Sequence, residues 1–201
     1  MGCVYRIREY EWERYKRRKS ARLKRRDCTI ISSSCNGTVM YHDLGIPYRS
    51  PTINLCIDAE DFIKMAENLE WYMAGLLLEA EEEAPYPVGM LYDVRIQFIH
   101  YRTFQEARAK WEERKRRINW DNLFIVGVSS DGDREVIERF EKLPYENKVI
   151  FSPVEYPEFQ SVFCIKEFRR NWGVMTEFKN RILKRRYLDN FDYVTFLNRG
   201  K

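Results

Sequence analysis

The apolar β-branched run Thr29, Ile30, Ile31 passes without a break into Ser32, Ser33, Ser34, Cys35, Asn36 and Gly37. Over Asp27 to Asp58 the chain reads as a strand (Cys28 to Ser32), a polar turn (Ser33 to Gly37), a short helix (Thr38 to Leu44) and a second strand (Ile53 to Ile57). Gly45 with Pro47 behind it is a stop signal for that helix. Pro51 disfavours helix at Ser50, so Tyr48 to Thr52 is extended or turned. Such a passage places hydroxyls, a thiol and backbone N–H groups at the carboxyl end of a strand. That is the edge at which open α/β sheets bind ligands.

The remaining segments extend the alternation. Asp58 caps a helical pattern in which Phe62, Met65, Ala66, Leu69, Tyr72, Met73, Leu76 and Leu77 recur at three- and four-residue steps, as one helix or as two joined near Asn68. Glu79 to Glu83 is its acidic, solvated end. Val88 to Leu91 and Val94 to Tyr101 pair as a hairpin about Tyr92 and Asp93. Thr103 and Glu106 form a capping box for a helix that buries Phe104, Ala107, Trp111 and Ile118. Leu123 to Val128 is apolar on both faces, as a buried parallel strand is, and a turn from Ser129 to Asp133 leads to a helix with Val136, Ile137, Phe140 and Leu143 inward. Lys148 to Phe151 and Val162 to Ile165 are short strands, and the tail closes with a helix near Tyr187 to Leu197. This pattern predicts a three-layer α/β/α, Rossmann-like domain over residues 27–201, its sheet mostly parallel with room for an antiparallel edge. Residues 1–26 form a basic helical arm with Tyr5, Trp12, Tyr15 and Leu23 as an irregular apolar stripe.

Charge is uneven. Residues 1–27 hold eleven Lys or Arg against four acids, a net of +7, so the chain total of +4 leaves −3 for the rest. The arm reads either as a helix packed on the domain or as a contact for an anionic membrane surface or a polysaccharide-assembly complex. Single-strand nucleic-acid binders also mix basic and aromatic residues, but this charge is a linear run without Gly-rich or RNA-binding motifs. No apolar run approaches the roughly 20 residues of a membrane span, and the N-terminus lacks a signal-peptide core. A cytoplasmic location is the expectation, and the five scattered cysteines fit reduced thiols there.

Three polar clusters at strand carboxyl ends carry candidate chemistry: Ser32 to Gly37, His100, and Ser129 to Asp133. Cys35, in a turn that opens a helix, is a candidate nucleophile whose thiolate the helix dipole favours. Its base would be His100 at a strand end or His42, the two histidines of the chain, oriented by Asp43, Asp93 or Asp121. Ser32, Ser33, Ser34, Asn36 and Gly37 can instead cradle a phosphate at the helix start, although the turn matches no standard nucleotide fingerprint. Asp131 and Asp133 flank Gly132 after the buried strand, and with Asp121 and Asn122 they make a second polar cluster. The pair suits either sugar or metal binding or a turn followed by an N-cap. No metal site is assigned; the ligand classes these clusters suit are acyl-CoA, a nucleotide sugar or another phosphate-bearing or carbohydrate molecule.

Nearly the whole chain after the arm resembles a bacterial domain-of-unknown-function family, number nineteen-nineteen, whose members are often labelled exopolysaccharide or capsule biosynthesis proteins. The resemblance rests on IISSSCNGTVMYHDLGIPYRSPTINLCIDAEDFIKM (Ile30 to Met65), YPVGMLYDVRIQFIHY (Tyr86 to Tyr101), KWEERKRRINWDNLFIVGVSSDG (Lys110 to Gly132), LPYENKVIF (Leu143 to Phe151) and FDYVTFLN (Phe191 to Asn198). Cys35, Gly37, Tyr41, Gly45, Ser50, Pro51, His100, Trp120, Asp121 and Asn122 match its pattern. Ser33, Ser34 and Asn36 stand where the family tends to carry asparagines and an aromatic residue. The resemblance implies a single α/β domain, a bacterial source and a link to surface polysaccharide. The expectation is a transferase, foremost one that transfers an acyl group to a sugar hydroxyl through Cys35 and His100, with metal-dependent glycosyl transfer through Asp131 and Asp133 as the enzymatic alternative. A scaffold docking through the basic arm is the non-catalytic alternative.

Overall fold

The computed structural model describes residues 2–168, 175–180 and 185–200. Cys3 and Tyr5 fall among side chains outside the described ones. In chain order, α1 (Gly2–Arg22) leads into β1 (Thr29–Ser32) and α2 (Asn36–Leu44). Helix α2 ends where Gly45 takes a left-handed conformation, φ 59°, the conformation a glycine C-terminal stop supplies at least cost. Next come α3 (Ala59–Glu67), α4 (Leu69–Ala74), β2 (Leu77–Glu79), β3 (Val88–Leu91), β4 (Val94–Gln97) and α5 (Phe104–Lys115). They are followed by β5 (Leu123–Val128), α6 (Arg134–Glu141), β6 (Lys148–Ser152), β7 (Val162–Cys164), β8 (Phe178–Asn180), β9 (Arg185–Arg186) and α7 (Tyr193–Leu197).

Strands β1, β5, β6 and β7 form a parallel sheet in the order β1-β5-β6-β7. Successive side chains point to opposite faces. Ile30, Phe124, Val126, Val128, Val149 and Phe151 therefore join one core with Met40, Tyr41, Leu44, Tyr193 and Phe196. Ile31, Ile125 and Ile150 join another with Phe62, Met65, Trp111 and Phe140. An apolar core on each face is what a parallel sheet requires. A second, antiparallel sheet has the order β2-β3-β4. The two meet through the loop after α2, where Ile57 N–H bonds the Ser33 carbonyl at 2.8 Å and Cys56 pairs with Gln97.

Several expectations are corrected. Ile53, Leu55 and Ile57 are buried but the segment is not a strand: Asn54 sits at φ 60°, its N–H taken by the Thr38 hydroxyl at 2.9 Å, and that left-handed residue breaks the extended run. The apolar pattern after Asp58 does divide at Asn68, yet helix stops at Ala74 because Gly75 turns extended. Leu77 is then buried between exposed Leu76 and Leu78, a strand alternation, so the acidic run from Glu79 to Glu83 begins at the end of a strand and is not the end of a helix. The hairpin turns at Tyr92 and Asp93 as expected, but its second strand ends at Gln97, which leaves His100 in the connection to α5. The tail is a 3-10 turn (Tyr187–Asn190) and then α7, separated at Phe191 and Asp192, with Asp192 capping α7.

The basic helix packs on the domain. Leu23 enters the core beside Met40 and Leu44, and Lys19 reaches Asp189 at 2.7 Å. Arg186 joins Asp189 to buried Asp43, whose carboxylate also accepts from Tyr193 at 2.7 Å. Burial alone would lower the Arg186 guanidinium, but its bonds to Asp43 and Asp189 outweigh that and hold it above its usual value.

Candidate functional site

The carboxyl edge of the parallel sheet gathers the turn after β1, the turn after β5 and the start of α3. In the first turn the Ser32 hydroxyl donates to the Ser34 carbonyl at 2.9 Å and accepts from Gly37 N–H at 3.3 Å. The Ser34 hydroxyl accepts from Asn36 N–H at 3.4 Å. Ser32 N–H is held by Thr52 at 2.9 Å, itself bonded to Ser50 at 2.8 Å. A Cβ on Gly37 would lie 2.7 Å from that of Ser32, so only glycine lets α2 start this close to β1. The structure thus brings Ser32, Ser34, Asn36 and Gly37 together, but as a turn that caps itself. Its first helical amides are already satisfied by the two serines, which leaves few donors for a phosphate. The buried Ser33 hydroxyl has no hydrogen-bond partner among the described residues.

Cys35 is the residue before α2. Its sulfur lies 3.9 Å from the Leu55 carbonyl, and burial alone pushes its pKa up to about 11. Desolvation here favours the neutral thiol over the expected thiolate. His42 is exposed on α2, with Nδ1 3.8 Å from Asp43. His100 is exposed after β4, in the segment that leaves the antiparallel sheet. Among the described residues neither imidazole bonds Cys35. The proposed orienting acids are engaged elsewhere, Asp43 with Arg186 and Asp93 with Tyr72 at 2.8 Å and Lys64 at 3.1 Å.

The second cluster is divided. Asp121 and Asn122 precede β5 and so lie at its amino end, where Asn122 Nδ2 donates to Asp27 at 3.1 Å and Asp121 is exposed. Asp131 and Asp133 follow β5 at the opposite edge. Asp131 accepts from the Ser129 hydroxyl and Asp133 N–H, both at 3.1 Å. Asp133 accepts from Glu135 N–H at 2.8 Å and Val136 N–H at 3.1 Å, which makes it the N-cap of α6. A strand of six residues separates the two groups, so they cannot act as one site.

Beside Asp131 opens a cleft of about 380 Å³, lined by Asp58, Ala59, Glu60, Asp61, Ser130, Asp131 and Val136. Asp61 is fixed by Arg95 N–H at 3.0 Å, and Asp58 lies 3.5 Å from the Gln97 amide. Sequence reasoning took Asp58 as a helix cap and passed over Glu60 and Asp61. The available signal was three acids in the four residues that open α3, the first helix after the turn. Carboxylates there can accept hydrogen bonds from hydroxyl-rich ligands. Among the described residues no group of three or more His, Cys, Asp or Glu is arranged to hold a metal ion.

A family profile described as a domain of unknown function (DUF1919) matches residues 6–198. A Haemophilus influenzae protein described as uncharacterized is similar too, 40% identical over 180 residues that cover 88% of this chain and 87% of that one.

Proposed function

We propose, since the chain belongs to the family of the domain of unknown function DUF1919, that it is a glycosyl-transferring enzyme of bacterial surface-polysaccharide assembly, working in the cytoplasm on a three-layer, Rossmann-like frame. The polysaccharide link rests on the labels that members of the family often carry. The transfer chemistry rests on one observation: the cleft at the carboxyl edge faces the acids of α3 toward Ser130 and Asp131. In this reading Asp131 and Glu60 accept from sugar hydroxyls, and Ser130 supplies a hydroxyl donor. A nucleotide sugar would bring a divalent cation with it, whose charge would offset repulsion from the carboxylates of Glu60 and Asp131. Acyl transfer through Cys35 has less support, because burial raises the thiol and no described imidazole meets it.

Calorimetric titration with nucleotide sugars, with and without Mn²⁺, and with acyl-CoA tests this. We expect Mn²⁺-dependent nucleotide-sugar binding that Glu60→Gln with Asp131→Asn weakens at least about tenfold, or roughly 1.4 kcal/mol. Cys35→Ala is expected to leave it unchanged. Acyl-CoA binding that depends on Cys35 would overturn the assignment.

A further inference from the structure

The basic residues of α1 are divided between two faces. On the inward face Lys19 and Arg22 are neutralised by Asp189 at 2.7 Å and Asp192 at 2.5 Å. The helix aromatics Trp12 and Tyr15 also turn inward, under the Arg186 and Arg185 guanidinium groups. On the outward face Tyr10, Arg14, Arg17, Arg18 and Ala21 are exposed, and their three- and four-residue steps keep them on one stripe, with Lys24 exposed just beyond the helix end. Arg14 has a loose 3.7 Å contact with Glu11. Arg17 and Arg18 have no ion pair among the described residues. Where this stripe meets the end of α2, a cleft of about 210 Å³ is lined by Lys16, Arg17, Arg26 and His42, with Glu13 and Asp43 as its acids.

Charge that folding requires is thus paired, and a line of cations along a helix about 30 Å long is left facing solvent. We propose that this stripe docks the protein on an anionic phospholipid surface, the cleft between α1 and α2 taking a headgroup phosphate. A stripe along one side of a helix can meet a plane along its length, and an exposed tyrosine beside arginines suits the headgroup layer. Single-stranded nucleic acid is the poorer fit: base stacking needs exposed aromatic platforms, and two of the helix's three described aromatics are turned inward. Docking is peripheral, as no helix among the described residues is long and apolar enough to cross a membrane.

The test is co-sedimentation of the full chain with vesicles of phosphatidylcholine containing about one-third phosphatidylglycerol, from roughly 50 to 300 mM NaCl. Binding to these vesicles, absent with pure phosphatidylcholine and falling steeply with salt, is expected. Arg17→Glu with Arg18→Glu should weaken it at least about thirtyfold, the figure for losing two interfacial cations before the added repulsion of two carboxylates. Arg108→Glu with Arg116→Glu, on exposed positions of and just after α5, alters net charge equally and should weaken it less than about threefold if position governs. Should the glutamate pair on α1 lower the melting temperature, Arg17→Gln with Arg18→Gln takes its place. No retention by the anionic vesicles, equal losses from the two charge-reversed pairs, or tighter binding to single-stranded RNA in the same buffer would each overturn the proposal.

Discussion

Asp189 is the residue on which the attachment of α1 turns. Its carboxylate, nearly inaccessible, meets Arg186 and Lys19 and accepts from Tyr15 at 3.2 Å. Burial pushes its pKa up, but the two cations outweigh burial and leave it below the usual carboxylate value. Since the folded value is depressed, its stabilisation is fully present above the unfolded pKa near about 4 and is lost as pH falls through the lower, folded one. Asp189→Asn leaves two cations short of a partner. It should cost on the order of 3 to 5 kcal/mol at neutral pH and make the acid limb of stability shallower. Urea unfolding between about pH 2.5 and 7 reads both effects, and an unchanged acid limb would show that the carboxylate is protonated alike in both states. Lys19 shows the opposite balance: burial lowers its pKa and the bond to Asp189 recovers only part.

Among the elements, α6 shows how one turn serves two readings. Asp133 spends a carboxylate oxygen on two α6 amides, whereas Asp131 lines the cleft. Asp133→Ala should therefore cost about 1 kcal/mol of stability, the usual loss for an N-cap, and leave ligand affinity intact. Chemical denaturation and the titration above check the two halves. Much of this layer was legible in sequence. The six apolar residues of β5, the glycine stop of α2 and the Thr103 cap, which accepts from Glu106 N–H at 3.2 Å, are local signals. The misreadings were decided by tertiary context. Asn54 becomes left-handed because Thr38, sixteen residues back, takes its N–H. Leu76 to Leu78 fits a helix or a strand by hydropathy alone, and pairing with β3 selects the strand. The cleft was missed because it exists only where the start of α3 crosses the end of β5.

For the whole molecule, the basic helix is part of the folded body as well as a charged surface. Removing residues 1–26 would strip Leu23 from the core and leave Asp189 and Asp192 without Lys19 and Arg22. The truncated chain is expected to melt at least about 10 °C lower, since several kcal/mol are lost from a domain of this size. Differential scanning calorimetry checks this, and an unshifted transition would mean that the helix is dispensable to the fold. Loss of function on such a truncation cannot by itself identify a docking arm, which is why the charge-reversed variants are the sharper probe. The helix is also clasped to the far end of the sequence: Lys24 N–H bonds the Asn198 side chain at 2.8 Å, and that side chain returns to the Arg22 carbonyl at 2.9 Å. On the ribosome α1 is made well before the acids that neutralise it and the residue that clasps it, which follow roughly ten seconds or more later at ordinary rates of synthesis. Until then the strongest concentration of positive charge in the chain has nowhere to bury itself, so the nascent protein passes through its own synthesis with its most anion-seeking segment fully displayed.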